Sequence, residues 1–327
     1  MRAAVKWWEQ HQVALYVAAI GTGIAVGLIW PPVAPVLSRA TNPALALLLF
    51  ATFLGVPLIE VGRAFRDFRF LGTVLVVNFL AVPLIAFGLS RFVADDQGLL
   101  VGLLLVLLAP CVDYVIVFTG LAGGARARLL AATPLLMLLQ IVLLPAYLWL
   151  FVGSDAVEHI ELEPFVEAFL ILIVIPLTAA AIVQTLARRH RVGRVIEEVF
   201  AAAMVPLMMG TLAVVVGSQI AGVGSQAVVL LRVVPLYAAF LAIMLLVGVA
   251  AGRVARLAVP ETRAVMFSGA TRNSLVVLPL ALALPAPLAI APLAVVTQTL
   301  IELVGMVVFL RLVPALTRTP QSDPDIH

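Results

Sequence analysis

LLAPCVDYVIVF, residues 107–118, decides how this chain is read. The stretch is apolar enough to lie in a membrane, yet it holds a proline, the chain's one cysteine, Cys111, and a carboxylate, Asp113. Pro110 has no amide hydrogen, so it perturbs the helical ladder before it and exposes backbone carbonyls. An apolar span with such an interruption and a charge at depth is a place where polar chemistry is held inside a membrane.

The rest of the 327-residue chain is of the same kind. It is 64% hydrophobic and 11% charged, with a mean hydropathy of +1.19, which predicts an all-α polytopic membrane protein. Apolar runs at 13–30, 42–61, 70–90, 98–120, 129–152, 165–187, 196–219, 229–251, 262–284 and 288–313 predict ten transmembrane helices, the last two separated only by the PAP turn at 285–287. The net charge of +3 does not point to nucleic acid, because the arginines sit in short gaps between apolar runs. One alternate set of gaps holds Arg2, Lys6, Arg63, Arg66, Arg69, Arg126, Arg128, Arg188, Arg189, Arg191, Arg194, Arg253, Arg256, Arg263, Arg311 and Arg318. The other set offers Arg39 and Arg91 together with the acidic stretch Asp155, Glu158, Glu161 and Glu163, so both termini are expected in the cytoplasm. The N-terminal MRAAVKWWEQHQ reads as the lead into a retained first helix. One cysteine rules out an intrachain disulfide and a cysteine-only metal cluster. Zinc spacings, a nucleotide-binding fingerprint and a nucleophile-base-electrophile set are all missing from the sequence, which predicts no metal, no cofactor and no enzyme.

Splitting the chain at the acidic loop gives two halves of five helices, 1–157 and 158–327. Pro57, Pro83 and Pro134 find counterparts in Pro206, Pro235 and Pro292 at nearly one period. Five is odd, so the second half enters the membrane from the opposite side: two inverted repeats, with a site at midplane between them. The fourth helix then corresponds to the ninth, SGATRNSLVVLP at 268–279, which carries Thr271, Arg272, Asn273, Ser274 and Pro279. Both helices are expected to be broken and crossed, with Pro110 and Pro279 as helix-breaking residues and half-helix ends that polarise the site. Asp113 and Arg272 are expected to pair across the crossing in at least one state, either as a structural bridge or as a pair that substrate or a proton breaks. Cys111 reads as a small buried hydrophobe or as a soft ligand for a thiophilic element. Glu302, one turn after Gln298, is the second candidate proton carrier beside Asp113, or else a bundle hydrogen-bonding group. Glu60 suits a local pair with Arg63, and Asn78 and Gln140 are further polar residues in apolar runs.

Ten spans, an APC motif in the fourth and a polar break in the ninth resemble the arsenical-resistance permeases of the bile acid/sodium symporter superfamily, over about residues 10–315. The most specific segment is LLAPCVDYVIVFTGLAGG at 107–124. The resemblance implies a panel domain (helices 1, 2, 6 and 7) and a core domain (helices 3–5 and 8–10) that move against each other. It also implies export of trivalent arsenic, arsenite and sometimes antimonite, across the plasma membrane by proton antiport, with Cys111 in arsenite transport. A cavity with Cys111, Thr271, Asn273 and Ser274 would offer arsenous acid one sulfur and several hydrogen bonds, and Asp113 would take the proton. Sodium-coupled relatives carry a glutamate and a glutamine before an Asn-Ser pair, and aligning on Asn273 and Ser274 puts Ser268 and Arg272 in those places. A guanidinium has no acceptor and repels sodium, which argues against sodium coupling. Arg272 is then either a built-in cation paired with Asp113, leaving proton exchange or uncoupled flux, or an anion site, which would make the chain a sodium-independent small organic-anion or other solute carrier. The partners expected are a small solute, protons and membrane lipid, without nucleic acid.

Overall fold

The computed structural model describes residues 2–55, 67–112, 114–152 and 170–317. Asp113, Pro57, Glu60, Arg63, Arg66, Arg318 and the acidic stretch from Asp155 to Glu163 lie outside the described residues. Within them the chain is helical: α1 (Arg2–Ile29), α2 (Ala34–Gly55), α3 (Phe68–Val76), α4 (Val82–Ser90), α5 (Gln97–Leu107), α6 (Tyr114–Leu121), α7 (Arg126–Val152), α8 (Ile175–Ala187), α9 (Arg191–Ser225), α10 (Ala227–Leu230), α11 (Val234–Val254), α12 (Val259–Ala270), α13 (Ser274–Leu282) and α14 (Ala291–Leu316). Among the described residues, six stretches are long and apolar enough to cross a membrane uninterrupted: Pro31–Gly55, Phe68–Val93, Arg126–Val152, Arg191–Ile220, Ala227–Val254 and Ala291–Leu316. The first and sixth spans contribute the shorter apolar helices Ala14–Ile29 and Ile175–Ala187. The fourth and ninth are each two short helices, α5 with α6 and α12 with α13, as the interrupted sequences predicted.

Local chemistry accounts for the irregularities. In the third span a π-turn, Val77–Ala81, joins α3 to α4 ahead of Pro83. Pro83 cannot donate to the Phe79 carbonyl, and the Tyr147 hydroxyl from α7 does so instead, at 2.6 Å. Asp67 and Asp96 cap α3 and α5, accepting the Phe70 and Leu99 amides at 3.2 and 3.0 Å. Between α13 and α14 the PAP sequence forms a short 3-10 turn, Ala286–Leu288.

Two groups of helices pack most extensively among themselves. In one, α1, α2, α8 and α9 are neighbours; in the other, α11 packs on α12 and α14, and α14 on α5 and α13. Small residues bring α1 and α9 to backbone contact: a methyl group added at Gly23 or Gly27 would lie 2.7 Å from the Ala213 carbonyl or 2.5 Å from the Gly217 carbonyl.

The arginine-bearing ends of the third, fifth and ninth spans meet at one end of the bundle. Arg128 at the start of α7 pairs with Asp67 and with Glu261 in the first turn of α12. Arg69 donates to the Ala255 carbonyl at 2.6 Å, and Arg263 of α12 donates to the Ala122 carbonyl after α6 at 2.9 Å. The fourth span thus ends where the ninth begins, so the two interrupted spans run in opposite directions. At the other end Arg232, just before α11, bonds Asp95 at 2.5 Å. That hydrogen bond, first among the causes, holds the Asp95 carboxyl below the usual aspartate range.

Candidate functional site

The site is the place where the two interrupted spans cross. Pro110 and Arg272 face each other as an antiparallel pair, with the Cys111 amide donating to the Thr271 carbonyl at 3.3 Å and the Asn273 amide to the Ala109 carbonyl at 2.8 Å. These amides are diverted from their own helices. In a continuous helix Cys111 would donate to Leu107, Arg272 to Ser268 and Asn273 to Gly269. Instead Arg272 donates its amide to Glu302 Oε2 at 2.9 Å. Three helix-end carbonyls, those of Leu107, Ser268 and Gly269, are left needing donors in a buried place.

The Arg272 side chain supplies them. Nη1 donates to Leu107 O at 3.2 Å, and Nη2 to Ser268 O and Gly269 O, each at 2.7 Å, and to Asn78 Oδ1 at 2.9 Å. The residue is fully buried, and its guanidinium lies 5.6 Å from the centre of the Phe240 ring. One side chain therefore caps the C-terminal ends of both α5 and α12, where helix dipoles favour a cation. Asn78, in the π-turn of the third span, is held in turn by bonds from its amide to Val74 O at 3.0 Å and Ser268 Oγ at 2.9 Å.

The carboxylate of the crossing sits at the opposite helix ends. Glu302 of α14 accepts the Arg272 amide just before α13, the Gln298 amide at 2.5 Å and the hydroxyl of Tyr114, the first residue of α6. It is fully buried. The N-terminal ends of α6 and α13 favour an anion as the other two ends favour a cation. Glu302, Cys111 and Tyr114 all lie within electrostatic range of the guanidinium. The link between Glu302 and Arg272 nevertheless runs through the arginine's backbone.

The sequence-derived candidates are distributed as follows. Cys111, Thr271, Asn273 and Ser274 are all buried at the crossing. The Thr271 hydroxyl donates to Phe267 O at 2.7 Å, and Asn273 Oδ1 caps α13 by accepting the Val276 amide at 3.3 Å. Among the described residues, Ser274 Oγ, Gln298 Oε1 and Arg272 Nε are buried without a hydrogen-bond partner. Pro110 lies in the break itself, whereas Pro279 lies inside α13 and does not interrupt it. The expected partner of Arg272, Asp113, is outside the described residues; the partners seen are three carbonyls and an amide oxygen. The sequence alone does not mark Tyr114 or Ser268 for these bonds, and shows Asn78 only as a polar residue in an apolar run. A phenol three residues after the cysteine of a broken helix was the available signal for Tyr114. Among the described residues no group of three His, Cys, Asp or Glu side chains is placed to hold a metal ion.

The profile of the sodium bile acid symporter family matches residues 42–226, more than half of the chain. The matched stretch runs from within α2 to the residue after α9 and includes the break of the fourth span; Arg272 and Glu302 lie beyond it. A comparison with curated proteins gives no significant match. Apolar spans throughout, two interrupted helices crossing at buried charges, and the extent of this match together make the chain a member of the sodium bile acid symporter family, whose members are membrane solute transporters and not enzymes.

Proposed function

We propose that the protein is a secondary active exporter of trivalent arsenic, arsenite and by the same chemistry antimonite, working by proton antiport and alternating access. The observation that carries this reading is the balance of the crossing. Nη1 and Nη2 of Arg272 are occupied by four oxygens and the Glu302 carboxylate accepts three donors. The same crossing buries the soft sulfur of Cys111, and among the described residues Ser274 Oγ, Gln298 Oε1 and Arg272 Nε have no hydrogen-bond partner. A small, neutral, hydroxylated and thiophilic solute matches that set, and arsenous acid is one. Thr271 and Asn273 shape the same turn through their backbones. A small organic anion is the competing occupant; of the five guanidinium N–H donors, Nε–H and the second N–H of Nη1 are left to receive it.

Proton coupling falls to Glu302, with Asp113 as the second carrier. Sodium coupling is disfavoured because the guanidinium already fills the oxygens that a bound cation would use. The helices α1, α2, α8 and α9 form the panel against which the crossing-bearing core rocks, and the first five spans repeat, inverted, in the last five. The arginine-rich end faces the cytoplasm at the plasma membrane, in keeping with the positive-inside tendency.

The test is arsenite uptake into everted membrane vesicles under an imposed inward-acidic gradient, with wild type, Cys111→Ala, Asp113→Asn and Glu302→Gln. Accumulation that collapses with the gradient and disappears in Cys111→Ala supports the reading. A well-folded wild type that does not accumulate arsenite, or accumulation indifferent to Cys111, overturns it and brings the organic-anion carrier forward.

A further inference from the structure

Glu302 and Tyr114 between them hold both backbone polar groups of Arg272. The carboxylate accepts the amide at 2.9 Å, and the Tyr114 hydroxyl reaches the Arg272 carbonyl at 3.1 Å as well as Glu302 Oε1. A phenol has one proton to give, so its two acceptors compete for it. An ionised carboxylate wins, because charge-assisted hydrogen bonds are about twice as strong as neutral ones. Once Glu302 is protonated on Oε1, its own O–H donates to Tyr114 Oη, and the phenol proton turns to the Arg272 carbonyl. One proton arriving thus reverses the Tyr114–Glu302 hydrogen bond and adds one from Tyr114 to the Arg272 carbonyl, while Oε2 goes on accepting the Arg272 amide.

We infer that Tyr114 is the positioning residue that conveys the protonation state of Glu302 to the helix crossing. This rests on the reading of Glu302 as a proton-coupling group. Among the described residues, the other groups facing Glu302 are Arg272 in the ninth-span break and Gln298 one turn earlier on α14. Tyr237 of α11 bonds α14 two turns away, at Ala294 O, 3.1 Å. Asp113, between the break and Tyr114, is outside the described residues. The far end of α6 is also tied to α12, through Arg263 and the Ala122 carbonyl. A change at Tyr114 therefore acts on a helix held to the ninth span at both ends.

Cys111 is the only cysteine in the chain and supplies a reporter at the crossing. The experiment follows its labelling rate by a membrane-permeant maleimide against pH, corrected for the ionisation of the thiol. The full chain in proteoliposomes is compared as wild type, Tyr114→Phe, Glu302→Asp and Glu302→Gln. Wild type is expected to show a pH step that Glu302→Gln abolishes. Tyr114→Phe keeps the ring and its edge contact with Phe118 and is expected to reduce the step about fivefold, the worth of one hydrogen bond. Glu302→Asp keeps the proton but draws the carboxyl back from Tyr114 by a methylene, and is expected to match Tyr114→Phe. A wild-type step in either of these, with the step lost in Glu302→Gln, overturns the role of Tyr114 and leaves Glu302 standing. A step that survives in Glu302→Gln, or is missing from wild type, overturns both.

Discussion

Replacing Arg272 with methionine or with lysine tests whether the crossing is held by one guanidinium capping two helices. Methionine keeps much of the volume but donates nothing, so Leu107 O, Ser268 O, Gly269 O and Asn78 Oδ1 all lose their donor. Each buried acceptor left unsatisfied costs about 1–3 kcal/mol. Relief from burying a charge offsets several kcal/mol of that total, leaving a net loss of about 3–5 kcal/mol. Lysine keeps the charge and three donors on a single nitrogen. It can serve the cluster of Ser268, Gly269 and Asn78, where the arginine's Nη2 lies, and it abandons Leu107, for a loss of about 1–3 kcal/mol. The assay is thermal unfolding of purified protein in detergent, with monodispersity as the endpoint. Methionine is expected to lower the transition by about 10 °C and lysine by roughly half of that. A methionine variant as stable as wild type would refute the reasoning, since the three carbonyls would then have found other donors.

Asn78→Leu removes one acceptor of Arg272 and one donor to Ser268, and is expected to cost about 1–3 kcal/mol. Combined with Arg272→Met, its effect in the same thermal assay should be clearly less than the sum of the two, because both remove one bond. Gly27→Leu places a side chain against Gly217 O and Ile220 and is expected to destabilise by about 1–3 kcal/mol or more. Gly21→Leu, where nothing lies within 4 Å of an added methyl, is expected to leave thermal stability unchanged; equal effects at the two positions would disprove the close α1–α9 contact. Asp95→Asn removes the partner of Arg232. Because the Asp95 carboxyl is held below its usual range, chiefly by that hydrogen bond, the pair stabilises above the ordinary aspartate value of about 3.9 and is lost as pH falls through the lower folded value. The variant should therefore melt slightly below wild type at neutral pH and low salt, and equal to it in strong acid or at 1 M salt; a gap that persists at high salt would show that the exposed pair is not the cause.

Much of this arrangement was legible because helices in lipid punish exceptions. Pro110 inside an apolar run, and Arg272 beside Thr271, Asn273 and Ser274 inside another, mark the two breaks in the sequence itself. The helical spans follow from the lengths of the apolar runs. The partner of Arg272 was not legible, for a physical reason: the groups that hold it are mostly the carbonyls of Leu107, Ser268 and Gly269, and a backbone carbonyl leaves no mark on a sequence. Reading charge against charge directed attention to Asp113. The anion that the described residues do bring to the crossing, Glu302, arrives from a helix whose sequence shows only one carboxylate a turn after a glutamine. Tyr114 was hidden by its ring, which is at home in an apolar run whether or not its hydroxyl is used.

The capping of α5 by Arg272 also bears on how the chain is made. The carbonyl of Leu107 enters the membrane during synthesis well over a hundred residues before the side chain that will satisfy it. Until the ninth helix is delivered, the fourth has an open end that must lean on water, lipid headgroups or the insertion machinery, since hydrocarbon offers no donor. The first five helices are therefore an unfinished object, whatever their apolar packing, and folding of the crossing waits on synthesis of the ninth. A ribosome stalled after the first half should hold a fourth helix that is still wet at its break.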